Sequence, residues 1–143
     1  MNKTISFTVD GDPVANHAPL YSRADHHFYK NKKDQVWKDH VRCQAILNRP
    51  STIPLEPVIL HLTFKFTHPK YHKSGVHYFH TKKPDCDYLT KTVKDALNKS
   101  MYQDDAQVIE EHIRKEYSFK SGVDITLTYI QDDLKGTHDD AQR

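Results

Sequence analysis

Val58-Ile59-Leu60-His61-Leu62-Thr63-Phe64-Lys65-Phe66 alternates without a break. Leu60, Leu62, Phe64 and Phe66 fall on one side, and His61, Thr63 and Lys65 on the other. That two-residue period belongs to a strand with one face in a core. Before it, Pro50, Pro54 and Pro57 close the preceding element. After it, residues 67–83 form a polar loop rich in His and Lys. The next element is a helix from Asp85 to about Lys99. Asp85 follows Pro84 as a candidate N-cap, and Leu89, Val93, Ala96 and Leu97 repeat at helical spacing. Residues 107–119 read as a long strand with Ile109, Ile113, Tyr117 and Phe119 on one side. Gly122 turns the chain into a last strand, where Val123, Ile125, Leu127 and Tyr129 alternate strictly.

Upstream, residues 5–9 form a first strand, Gly11, Pro13 and Pro19 punctuate a loop, and residues 26–29 form a short strand. Residues 32–47 form a helix with Val36, Trp37, Val41, Ile46 and Leu47 as its apolar stripe. The order β–α–β–α–β–β predicts an α+β domain built on a small mixed β-sheet with two helices.

A length of 143 residues sets one domain, with 1–130 as the folded unit and 131–143 as an acidic, flexible tail. No window approaches the ~20 apolar residues of a membrane span, and the first ten residues lack the apolar core of a signal peptide. Two cysteines, Cys43 and Cys86, are too few to staple the domain and fit a cytoplasmic protein. The net charge of +2 hides an asymmetry. Residues 13–49 hold seven Lys/Arg against three acids, and residues 65–99 hold eight Lys against three Asp. Two basic stretches in a near-neutral chain point to an anionic partner, or to a solvated lysine-rich surface.

The chemistry concentrates in Lys82-Lys83-Pro84-Asp85-Cys86-Asp87-Tyr88-Leu89-Thr90-Lys91, followed by Asp104-Asp105-Ala106-Gln107. Two carboxylates two residues apart at a helix start repel each other unless a cation lies between them. A hard divalent ion such as magnesium answers that need through oxygen ligands. Asp104 and Asp105 return toward the first pair if the helix packs on the following strand. Lys91, one turn beyond Asp87, can stabilise an oxyanion on phosphorus. Each feature has a plain structural alternative: Asp85 as a cap, Asp104-Asp105 as a turn, Asp87–Lys91 as an i, i+4 ion pair.

Taken in order, Pro84-Asp85-x-Asp87-x-x-x-Lys91-x-x-x-Asp95-Ala96-Leu97, then Asp104-Asp105-x-Gln107-Val108 before a long strand, resembles the RusA family of Holliday junction resolvases. The motif spans about a quarter of the chain. The resemblance implies a RusA-like, homodimeric endonuclease dependent on Mg2+, with Mn2+ as a substitute. It implies binding of branched DNA at four-way junctions and paired symmetric nicks, in recombination and repair, often in phages or prophages. Asp85, Asp87 and Asp105 would then be the essential metal-binding carboxylates, Asp104 an auxiliary acid, Lys91 the essential lysine and Asp95 a helix residue near the site. Tyr88 stands where the family usually has Asn and cannot supply an amide's hydrogen bonds. The turn before Asp104 lacks the family's usual glycine. Arg23, Lys30, Lys32, Lys33, Lys82, Lys83, Lys94 and Lys99 are the candidate phosphate contacts.

Two other readings compete. One is a zinc-binding nucleic-acid module using His68, His72, His77, His80 and Cys86. The other is a junction-binding protein that does not cut, for which Tyr88 is the motivating feature.

Overall fold

The computed structural model describes residues 2–15, 20–29 and 32–131. The chain runs β1 (Lys3–Asp10), a hairpin of β2 (Leu20–Ser22) and β3 (His27–Tyr29), α1 (Lys32–Asn48), β4 (Val58–Thr67), α2 (Cys86–Leu97), a 3-10 turn (Asp105–Gln107), β5 (Val108–Ser118) and β6 (Gly122–Tyr129). The main sheet has the order β1-β6-β4-β5. β6 is antiparallel to both of its neighbours, while β5 runs parallel to β4. The fold is therefore α+β on a mixed four-stranded sheet with two helices. No helix among the described residues is long and apolar enough to cross a membrane.

The alternating strands behave as their sequences require. Val58, Leu60, Leu62 and Phe64 of β4 and Val123, Ile125, Leu127 and Tyr129 of β6 are buried. Leu89, Val93, Ala96 and Leu97 of α2 close over them in the same core. The opposite sheet face is polar: Ser6 and Thr126 share a 2.9 Å hydrogen bond, and Lys65 pairs with Asp124 at 3.0 Å. Gly122 sits where β6 passes β1. A Cβ there would stand 2.5 Å from the Val9 carbonyl oxygen, which is held in the sheet. Gly122→Ala is expected to cost about 1–3 kcal/mol, read as a drop of several degrees in Tm.

Two apolar assignments are corrected. In α1 the buried stripe is Trp37, Val41 and Ala45, at i, i+4 and i+8. Val36 and Leu47 are 70% and 76% exposed, and Ile46 is also exposed. The helix rests on α2 and β1 along a narrow line, with Ala45 small enough for close approach, so only one row is covered. In β5, Ile109 and Phe119 are exposed rather than inward. The register jumps from Val58↔Val108 to Ile59↔Glu110, so Ile109 is the residue squeezed out by a bulge. Phe119 lies beyond the strand's end. After the bulge, Glu111, Ile113, Lys115 and Tyr117 stand opposite Leu60, Leu62, Phe64 and Phe66, on the helix side of the sheet.

Two buried tyrosines fix the turn that follows α2. The Tyr102 hydroxyl donates to the Lys94 carbonyl at 2.9 Å, and the Tyr129 hydroxyl donates to the Met101 carbonyl at 2.7 Å. Burial pushes both phenols well above the ordinary range. They bind the C-terminal end of α2 to the core, and so set where the chain re-enters the sheet with Asp104 and Asp105.

Candidate active site

A cleft of about 350 Å³ opens between the first half of α2, the 3-10 turn and the start of β5. Asp87, Lys91 and Lys94 enter it from α2, Asp105 from the turn and Glu111 from β5, with Cys86, Thr90 and Ile113 completing the walls. Helical pitch explains the first three. Residues 87, 91 and 94 lie within a narrow arc of one helix face. Lys94 and Glu111 form an ion pair of 3.1 Å across the cleft. Asp87, Lys91 and Asp105 line the cleft with no ion pair recorded among the described residues.

Asp105 is delivered by a braced turn. The Gln107 side-chain oxygen accepts from the backbone N–H groups of Gln103 (2.8 Å) and Asp104 (3.1 Å). Its amide nitrogen donates to the carbonyls of Pro54 (3.1 Å) and Glu56 (3.0 Å). Four hydrogen bonds satisfy that amide fully, which gives the Gln of the D-D-x-Q motif a physical role. Asp104 caps the 3-10 turn and lies outside the cleft lining.

The other end is braced by Lys115. Its ammonium donates 2.7 Å hydrogen bonds to the carbonyls of Lys82 and Pro84, fastening the loop before α2 to β5. Asp85 follows directly as the N-cap of α2, makes no side-chain cap bond, and is held by Lys83 Nζ at 3.0 Å to both oxygens. Asp85 therefore lies beside the cleft and not in its lining. Glu111 and Lys115 escaped the sequence reading. Both carry charge on the face of β5 that Ile113 and Tyr117 mark as inward, and that alternation is the signal that could have found them.

The predicted basic residues separate into groups. Lys94 is in the cleft. Lys82 and Lys83 lie on the braced loop that leads into α2. Lys32 and Lys33 lie at the start of α1 near Trp37, and Arg23 is exposed in the β2–β3 turn. Lys30 and the tail from 132 onward lie outside the described residues. Lys99 is in a different groove, between α1 and α2. Asp95 also faces that groove, 3.7 Å from Lys38, and is not part of the cleft. Lys99 has φ 67, the left-handed conformation glycine adopts freely. This is how the turn closes without the family's glycine.

The histidine loop is an aromatic cluster. His72 stacks on Tyr78 at 3.8 Å and His80 on Phe66 at 3.9 Å, while His68 Nδ1 meets His72 Nδ1 at 3.0 Å. His77 pairs with Glu116, and Cys86 is in the cleft wall. Among the described residues no three His, Cys, Asp or Glu side chains converge as a ready-made metal cage, so the zinc reading has no geometric support. Burial, His68 and Lys82 hold His72 below the ordinary histidine value; burial, Lys115 and Lys82 do the same for His80 against its own backbone hydrogen bond. The fold therefore favours both rings neutral. Their contribution is complete above the ordinary value of 6.5 and is lost as pH falls, because the unfolded chain binds protons that the fold resists. Tm is expected to fall between about pH 7.5 and about pH 5.5. His80→Phe, which keeps the stack on Phe66, should shrink that fall.

An all-oxygen set of carboxylates beside two lysines suits a hard divalent ion. Magnesium keeps several waters and needs only one or two carboxylates from the protein plus substrate phosphate oxygens. Asp87 and Asp105 meet that requirement without a closed cage.

Carboxylates and lysines lining one cleft are groups that can hold a divalent ion against a phosphate. The family model for the RusA endodeoxyribonucleases matches residues 10–128, and the chain belongs to that family. It is 33% identical over 137 residues to the uncharacterized protein YqaN of Bacillus subtilis (strain 168), covering 88% of this chain and 96% of YqaN.

Proposed function

We propose that this protein is a homodimeric, magnesium-dependent resolvase that cuts four-way DNA junctions by paired symmetric nicks. The observation that carries the reading is the cleft in which Asp87 and Asp105, far apart in sequence, meet Lys91 and Lys94 in a chain of the RusA family. Asp87 and Asp105 would hold magnesium, with Mn2+ as a substitute. Asp85 would join them on releasing Lys83, an exposed pair that is cheap to open. Asp104 would act as an auxiliary acid. When bound, the ion supplies Lewis acidity at the scissile phosphate and a water of lowered pKa.

The remaining work falls to the protein's own side chains. The Lys91 ammonium would offset the negative charge that develops on the phosphoryl oxygens during hydrolysis. Lys94 holds Glu111 across the cleft and keeps that carboxylate away from the incoming phosphate. Arg23, Lys30, Lys32, Lys33, Lys82, Lys83, Lys94 and Lys99 contribute phosphate contacts, which position DNA without reading its sequence. Residues 1–130 would form a single RusA-like endonuclease domain, with 131–143 as an acidic tail.

The test is a synthetic four-way junction incubated with the protein in magnesium, in manganese and in EDTA. Symmetric nicks on opposed strands in either metal, absent in EDTA, support the reading. A junction that is bound but left intact in both metals overturns it and leaves a binding protein.

A further inference from the structure

A second groove, of about 500 Å³, separates α1 from α2. Lys38, Arg42, Arg49 and Lys99 line it, against the single carboxylate of Asp95. Lys38 takes Asp95 at 3.7 Å, and Arg42 reaches the Asp95 carbonyl at 3.4 Å and Asp39 at 4.0 Å. Arg49 and Lys99 are exposed, and neither makes a side-chain ion pair among the described residues. The groove therefore carries excess positive charge.

The candidate active cleft has the opposite balance, with Asp87, Asp105 and Glu111 against Lys91 and Lys94. Before a metal arrives, that cleft repels a phosphate. The attraction that holds DNA over it must come from elsewhere on the protein. The groove is well placed for this. Asp95 is eight residues beyond Asp87 on the same helix, roughly 12 Å at 1.5 Å per residue. That distance is about three to four base pairs of duplex rise at 3.4 Å each. The two sites also stand about 80° apart around α2, so a duplex arm whose scissile phosphate enters the cleft would follow the curve of the helix to bring its next phosphates to the groove. Lys99 adds a separate observation. It holds a left-handed backbone position that favours glycine, fixed by its N–H to the Tyr102 carbonyl at 2.7 Å. That hydrogen bond fixes the backbone from which Lys99 lines the groove.

We infer that the α1–α2 groove is a second, sequence-independent DNA site that holds the backbone of the arm being cut, through Lys38, Arg42, Arg49 and Lys99. This rests on the nuclease reading and extends it by assigning a surface. Arg42, Arg49 and Lys38 belong to no motif, so the site is invisible in the linear pattern.

The experiment measures junction binding by fluorescence anisotropy in EDTA across a salt series. It compares the native protein, Arg49→Gln/Lys99→Gln, and the control pair Lys3→Gln/Lys120→Gln, which makes the same charge change elsewhere. Each lost phosphate contact lowers the log–log salt slope by about 0.9. The groove pair should therefore lose nearly 2 from the slope and at least tenfold in affinity at moderate salt, while the control changes much less. Arg49→Glu serves as a second variant should the pair melt early, and should weaken binding further than Arg49→Gln. A groove pair that binds like the native protein, or no worse than the control pair, overturns the inference. A native protein that binds no junction overturns the nuclease reading instead, so the two failures are distinct.

Discussion

Asp87→Asn is expected to remove junction cleavage while leaving the fold and junction binding in place. The side chain is exposed in the cleft, one helical turn before Lys91. The substitution keeps its shape and removes only the negative charge that a divalent cation needs. Loss of one well-placed electrostatic group in a site of this kind lowers rates on the order of 10³-fold. The structural cost is small, since an acid in the first turn of a helix contributes only about 0.3–1 kcal/mol. Junction affinity in EDTA should hold or rise, because one repulsive charge has gone. Cleavage and binding measured on the same preparation check this. Parallel loss of both would assign Asp87 to the fold rather than to the chemistry.

Lys115→Met should be nearly as damaging for a different reason. Methionine matches the length of the lysine stem but donates nothing, so the carbonyls of Lys82 and Pro84 lose their shared 2.7 Å partner. Those carbonyls belong to the loop that sets the first turn of α2, and with it Asp85 and Asp87. A misplacement of about 1 Å at reacting groups costs roughly 10²-fold. Unmet carbonyls add about 1–3 kcal/mol of instability. We expect a lower kcat, a higher magnesium concentration for half-maximal cleavage and a Tm reduced by several degrees. Lys115→Arg, which keeps donors at that depth, should retain more of all three. Cleavage kinetics over a magnesium series separate this positioning effect from simple unfolding, which would leave the magnesium dependence of the surviving fraction unchanged.

The strands that bury one face were legible in the sequence. β4 and β6 alternate because their inward residues must leave water, and α2 shows its stripe for the same reason. α1 was harder to read. Its apolar residues cover a broader arc than its neighbours do, and only tertiary contact chooses the row Trp37–Val41–Ala45. In β5 the reading held for Ile113 and Tyr117 and failed at Ile109, which the bulge expels, and at Phe119, which lies past the strand's end. Glu111 and Lys115 share the face of Ile113 and Tyr117, and only the folded sheet shows that this face meets the candidate site. The carboxylate motif was visible as a pattern, but spacing alone could not sort its members. Asp85 is the extended N-cap residue, outside the helical turn that holds Asp87. Asp87 thus reaches the cleft, while Asp85 turns to Lys83.

The position of β6 bears on how the molecule comes into being. Among the described residues the strand synthesised last, β6, is an interior one, hydrogen-bonded to β1 on one side and β4 on the other. Its partners in β1 are more than a hundred residues earlier in the chain. Until β6 arrives, β1 and the β4–β5 pair have no common sheet, and Leu60, Leu62 and Phe64 have no complete core to enter. Closure of this sheet therefore waits for β6, with the slow, long-range pairing that such topology entails. The Tyr129 hydroxyl that secures Met101, and through it the turn carrying Asp105, comes from that same strand. A nascent chain thus carries every carboxylate of the motif before it has a cleft to put them in.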